Sequence, residues 1–170
     1  MTTSVPAMHQ LAMRGLTDET APARASGAID VDAYPERVFD ALADVSQWPS
    51  FRGDVTDAAS EGPAAPGRAF TWRANGAPVT SRFAIVERPA RLTWSNGAPG
   101  MIASCVYLFS ATPSGGTRIR CEESMDASAI APHIDDDVLG AGIASWLAGI
   151  KAHVEAGAAG SSVHGGRNDS

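Results

Sequence analysis

Cysteine is scarce: Cys105 and Cys121 are the only two in 170 residues. They show no C-x-x-C spacing and no histidine stands beside them at ligand intervals, which excludes a zinc ribbon or a dithiol redox motif. The two flank a hairpin whose turn is expected at Pro113 to Gly116, so straight pairing sets Cys105 opposite residues near Glu123 rather than Cys121, and no disulfide follows. Positive charge is scarce as well. Against 19 acidic residues stand 13 Lys and Arg, a formal charge of -6, with a pI near 5.1. Such a surface carries no electrostatic footprint for nucleic acid or anionic lipid. No stretch approaches the roughly 20 apolar residues of a membrane span, and no basic segment followed by an apolar run opens the chain. The expectation is a soluble, cytoplasmic protein. Also missing are a Ser-His-Asp order, a Walker loop and a G-x-G-x-x-G after a strand, which argues against nucleophilic hydrolases and nucleotide enzymes. Neither a cofactor nor a metal is expected.

What is present is globular: 44% apolar residues, with 17 Gly and 11 Pro supplying more punctuation than a helical bundle would use. The length suits one domain. Residues 1–24 read as a tail or a docking segment, with a short periodic stretch at Met8, Leu11, Met13 and Leu16 that is too brief to hold a helix alone. Residues 25–157 form the domain, and residues 158–170, rich in Gly, Ser, Asn and Asp, read as a disordered tail. Within the domain a first strand is expected over 25–33. A helix follows from Pro35 with Glu36 in its first turn and Val38, Phe39 and Leu42 as its apolar stripe, then a second short helix or turn from Asp44 to Trp48 stopped by Pro49. Strands are expected over 54–60, 68–74, 78–87, 91–95, 101–111 and 117–125, separated by short Gly-, Pro- and Asn-rich connectors that indicate an antiparallel meander. The last element is a long helix over 132–156. It has Asp135, Asp136 and Asp137 at its start and an apolar face of Leu139, Ile143, Trp146, Leu147, Ile150 and Val154. Gly140, Gly142 and Gly149 interrupt it at about 1 kcal/mol each, by drift, for close packing, or for space left to something else.

The sequence words in this order are Ile29-Asp30-Val31 running into Pro35-Glu36-Arg37-Val38-Phe39, then Leu42-Ala43-Asp44, Trp48-Pro49, Gly67 with Phe70 and Trp72, and Val86-Glu87. Leu92-Thr93-Trp94, Gly116-Thr117 with Glu123-Ser124, and a closing 147–155 complete them. Over residues 25–157 this resembles the START-like, or SRPBCC, superfamily of polyketide cyclases and dehydratases, Bet v 1 proteins and lipid-transfer proteins. The resemblance implies an α+β helix-grip fold: a curved antiparallel sheet of six to seven strands wrapped around a long C-terminal helix, with two short helices after the first strand. It also implies an internal cavity for a small hydrophobic, aromatic or polyketide-like molecule. In the cyclase branch a tyrosine commonly follows the Trp-Pro pair and an arginine lies in the cavity on the fourth strand. Here the corresponding region offers Phe51 and Val55, and Arg82 stands out of phase with Phe83.

Alternation along the strands assigns faces without reference to any family. Ile119, Cys121, Glu123 and Met125 share the inner face of the last strand, opposite Arg118, Arg120, Glu122 and Ser124. The same rule places Phe70 and Trp72, then Val79, Ser81, Phe83 and Ile85, then Leu92 and Trp94 inside, with Thr93 and Ser95 outside. In the strand over 101–111 both faces are apolar, and Tyr107 is assigned inside. The expected ligand-binding wall is Phe70, Trp72, Ser81, Phe83, Trp94, Tyr107, Cys121, Glu123 and Trp146, mostly apolar with few polar anchors. Glu123 is the candidate general acid or base, with Tyr107 behind it, because a carboxylate on an apolar face is costly and should carry a raised pKa or find a partner. An ion pair at the sheet rim is the other reading. His133, at the start of the long helix, is either a proton shuttle near the opening or a surface histidine. Three functions fit: a non-catalytic carrier or sensor of a small apolar molecule, a cyclase-like or dehydratase-like enzyme using Glu123, and a protein-interaction module.

Overall fold

A computed structural model describes the backbone of residues 3–161 and the side chains through Gly157. Helix α1 (Val5–Met13) precedes β1 (Ala23–Val31), α2 (Pro35–Ala43), a 3-10 turn (Val45–Gln47) and the short α3 (Trp48–Phe51). The meander β2 (Val55–Ser60), β3 (Ala69–Ala74), β4 (Ala77–Glu87), β5 (Arg91–Ala98), β6 (Met101–Ala111) and β7 (Thr117–Asp126) leads into α4 (Asp136–Ser161). All seven strands form one antiparallel sheet in the order β1-β7-β6-β5-β4-β3-β2. This is the helix-grip architecture expected from the sequence.

Local chemistry accounts for the element ends. Pro35 and Glu36 start α2, and its apolar face buries Val38, Phe39, Ala41 and Leu42. At α4 the side chain of Asp135 accepts the amide of Val138 at 2.9 Å, so the helix starts after Asp135 rather than at Pro132 as expected. The helix also continues to Ser161, four residues into the segment expected as a tail. The rest of that reading, from residue 162 on, lies outside the described residues. Two glycines let α4 approach its neighbours, β1 and α3. A Cβ on Gly27 of β1 would meet Ile143 at 2.9 Å, and one on Gly149 would meet the carbonyl oxygen of Phe51.

The convex face of the sheet is covered, which strand alternation alone did not reveal. Helix α1 lies across β4, β5 and β6 with Met8 and Ala12 fully buried against them. Beneath it runs a row of small polar residues, Thr93, Ser95, Ser104 and Ser124, all buried although they point away from the core. Each finds a partner in the N-terminal segment. Thr93 donates to the Ala12 carbonyl at 2.7 Å, Ser104 donates to the Leu16 carbonyl at 2.8 Å, Ser95 bonds His9 Nδ1 at 2.7 Å, and Ser124 accepts the Asp18 amide at 2.9 Å. Residues too few to hold a helix alone are thus held by packing and a satisfied polar seam. A register shift between Phe83 and Val86 on β4 corrects one face assignment: Val86 pairs with Leu92 and joins the core, and Ile85 turns toward Gly15 on the covered outer face.

Candidate functional site

The interior between sheet and α4 is filled at one end and open at the other. At the filled end Phe39 and Phe109 meet edge to face at 5.4 Å, and Phe70 and Phe83 lie 4.4 Å apart. At the other end, bounded by the β3–β4 and β5–β6 turns and the first half of α4, lies a cavity of about 220 Å³. Every tryptophan of the chain contributes to its wall: Trp48, Trp72, Trp94 and Trp146. Trp48 is the hub, with its ring 5.6 Å from Trp72, 5.5 Å from Trp94 and 5.1 Å from Trp146, and its indole N–H bonded to the Leu42 carbonyl at 3.0 Å. Tyr107 stacks flat on Trp94 at 5.0 Å. The indole N–H groups of Trp94 and Trp146 are buried without a hydrogen-bond partner.

Of the wall expected from the sequence, Trp72, Trp94, Tyr107, Glu123 and Trp146 line this cavity. Phe70, Phe83, Ser81 and Cys121 face inward but stand outside its lining. The reason is longitudinal. Alternation tells which face a side chain takes, not how far along the barrel it lies, and these four sit where the interior is already packed. Sequence reasoning missed Trp48, Arg52 and Asn96, as well as Met101 and Gly142, which also line the space. For Asn96 the miss came from ending β5 at Ser95. The strand runs on to Ala98, and Asn96 pairs with Ser81 on the inner face. Arg52 had no periodic signal, since it follows a four-residue helix. His133 is exposed and outside the lining, and Arg82 points outward to the Gly67 carbonyl at 2.8 Å.

Polar groups in the wall are ordered into a chain. The Trp72 indole donates to Ser81 Oγ at 2.9 Å, Ser81 donates to Asn96 Oδ1 at 2.6 Å, and the Asn96 amide donates to Cys105 Sγ at 3.6 Å. Cys105 is paired in register with Glu123, and its thiol is among the groups that favour the ionised carboxyl. Glu123 is only partly buried by surface area, and the surface it retains belongs to the cavity. Its surroundings are therefore protein, and desolvation pushes its pKa up from 4.5 to about 7, against the opposing pull of Arg52 and the Cys105 thiol. The same burial, with Glu123 nearby, raises both thiols and the Tyr107 phenol, so these three stay protonated. Arg52 forms a two-pronged ion pair with Asp54 at 2.7 and 2.9 Å, and its guanidinium carbon lies 4.7 Å from the ring centre of Trp146. The arrangement can hold an apolar ring and offer one carboxyl that exchanges a proton near neutrality. Among the described residues no group of three His, Cys, Asp or Glu side chains is placed to hold a metal ion, and no helix is long and apolar enough to cross a membrane.

Solved structures share this fold. A hypothetical protein of Helicobacter pylori superposes with a TM-score of 0.67 at 20% identity, over 80% of this chain and 90% of its own. A protein of Thermus thermophilus gives 0.64 at 14% identity, over 79% of this chain and 98% of its own. The protein Ara h 8.0201 gives 0.62 at 15% identity, over 78% and 97%. None of the curated proteins matches the sequence. The family model described as polyketide cyclase / dehydrase and lipid transport matches residues 22–158, and the chain belongs to that family.

Proposed function

We propose that this protein binds a compact aromatic molecule of one or two rings in the tryptophan-walled cavity, with Glu123 as its polar anchor. The observation that carries the reading is the cavity itself: about 220 Å³, bounded by four indoles and a phenol, with one carboxyl in the wall. Benzene fills a cavity of roughly 150 Å³, and sites for drug-sized ligands start near 300 Å³. The space therefore suits a ligand between these sizes, and a long acyl chain or an extended polyketide would need the wall to open. The family description, which spans cyclases and lipid transport, is consistent with an apolar ligand site.

A second reading is favoured by one specific feature, the Glu123 pKa of about 7. A carboxyl that titrates near neutrality in an aromatic-walled cavity suits proton transfer to or from an enolisable ligand, with the neutral Tyr107 phenol as a donor. Two measurements test these readings. Titrating 2-naphthol while following tryptophan fluorescence measures binding, since every indole borders the cavity. Saturable quenching with one site per chain supports the compact-ligand site that both readings need, and absence of any response refutes it. If a substrate is found, Glu123→Gln that keeps affinity but loses turnover supports the catalytic reading, and unchanged turnover excludes Glu123 from the chemistry.

A further inference from the structure

Resting on the reading of the cavity as a compact-ligand site, we infer that its ligand is an aromatic amine, bound as the ammonium ion among the indole rings with Glu123 as counter-ion. The charge balance of the wall points this way. Glu123 is the one acidic side chain among the residues lining the cavity and Arg52 the one basic side chain. Arg52 is bonded to Asp54 through Nε and Nη2 and also acts electrostatically on Glu123. An ionised Glu123 therefore shares the one cation of the wall with Asp54 and has none of its own. An anionic ligand would add a third negative charge around that one guanidinium. A neutral ligand would leave the ionised form without a partner, so the carboxyl would take up a proton instead. An ammonium ion satisfies the ionised form.

The rings supply the second argument. Indole faces attract cations, most strongly where water is excluded. This wall already holds one, because the guanidinium of Arg52 rests over Trp146. The hydrogen-bond chain from Trp72 through Ser81 and Asn96 ends on Cys105, which stands opposite Glu123 in the β6–β7 register. A third, independent feature lies at the rim. Asp135, Asp136 and Asp137 are exposed in the segment that supplies the lining residues Ile134 and Val138, with Asp135 capping α4 and Asp136 accepting the Arg24 amide. On a chain of net charge -6 this field draws cations toward the opening and repels anions.

The test uses three ligands of nearly equal size on the full chain at about pH 8, where Glu123 is mostly ionised and an alkylamine is protonated. Phenethylamine, 2-phenylethanol and phenylacetate are titrated by tryptophan fluorescence and calorimetry. The expected order is phenethylamine tightest, by at least about ten-fold over 2-phenylethanol, with phenylacetate weakest. In Glu123→Gln the advantage of the amine over the alcohol falls to within about three-fold while the alcohol's own affinity holds. The proposal is overturned if the alcohol or the acid binds the wild-type protein as tightly as the amine, or if the amine's advantage survives in a folded Glu123→Gln. If none of the three binds, and 2-naphthol also fails, the cavity is not a compact-ligand site and both readings fall together. If 2-naphthol binds and the amine shows no advantage, only the cationic assignment falls.

Discussion

Replacing Glu123 with Gln removes a proton equilibrium from the interior while keeping the side chain's shape, and the pH dependence of stability should change in a way that can be worked out in advance. The native carboxyl titrates at about 7 against an ordinary 4.5. Its pKa is raised, so the native state holds a proton that the unfolded chain has already released. Glu123 therefore favours folding most at acidic pH, and stability declines as pH rises from about 4.5 to about 7, then levels. At about 1.4 kcal/mol per pH unit the whole decline is about 3 kcal/mol. His9 acts with the opposite sign, because its burial between α1 and the sheet and the nearby Arg82 lower its pKa, so its contribution is lost as pH falls. It is present in both proteins and cancels in their difference. Asp18, Asp44 and Glu155 have lowered pKa values, and their contributions fade only at more acidic pH. Urea unfolding of wild type and Glu123→Gln at several pH values between about 4.5 and 8 measures the difference directly. The variant should gain about 3 kcal/mol relative to wild type across that interval. A difference that stays flat within about 0.5 kcal/mol would show that Glu123 is not desolvated, and the electrostatic reading of the cavity would fail.

The glycines of α4 separate by what surrounds them. Gly142 borders the cavity with nothing within 4 Å of an added Cβ, so Gly142→Ala should stabilise by up to about 1 kcal/mol through helix propensity, read as a higher urea midpoint. Gly149→Ala drives a methyl into the Phe51 backbone and should destabilise by about 1–3 kcal/mol in the same assay, and a stabilised variant would contradict the packing described. Cys105 and Cys121 are buried with raised pKa values, so Ellman's reagent should label neither thiol in the native protein and both in urea; fast native labelling would contradict their burial. Met8→Ala should cost about 2–5 kcal/mol, since Met8 is fully buried between α1 and the sheet, while leaving 2-naphthol affinity unchanged because the cavity lies on the opposite face.

The sheet and its inner face were legible because antiparallel strands joined by short Gly- and Asn-rich turns impose a two-residue period that one buried face makes visible. Glu123 stood out for the same reason, as a carboxylate in step with Ile119 and Cys121. Other features left no such trace. Thr93, Ser95, Ser104 and Ser124 read as solvent-facing, yet they are buried under α1, because a polar seam satisfied by another segment has the same sequence pattern as a wetted face. The flip at Ile85 came from a bulge that periodicity cannot anticipate. The extent of the cavity depends on which inward residues touch across the barrel, so Phe70 and Phe83 were indistinguishable in sequence from Trp72 and Trp94. Arg52 reaches the wall through the geometry of the short α3, which no repeat encodes.

A larger and more open groove of about 730 Å³ runs beside α1 on the outer face, lined by Val5, His9, Met13 and Arg82 among others. It gives the central claim a physical alternative within the same molecule. The measurement that decides between them is the set of intermolecular NOEs from 2-naphthol to the labelled protein. The account predicts NOEs to the methyls of Met101, Met125 and Ile143 and to the indole protons of Trp94 and Trp146. NOEs confined to Val5 and Met13, or saturation binding with no contact to the tryptophans, would contradict it.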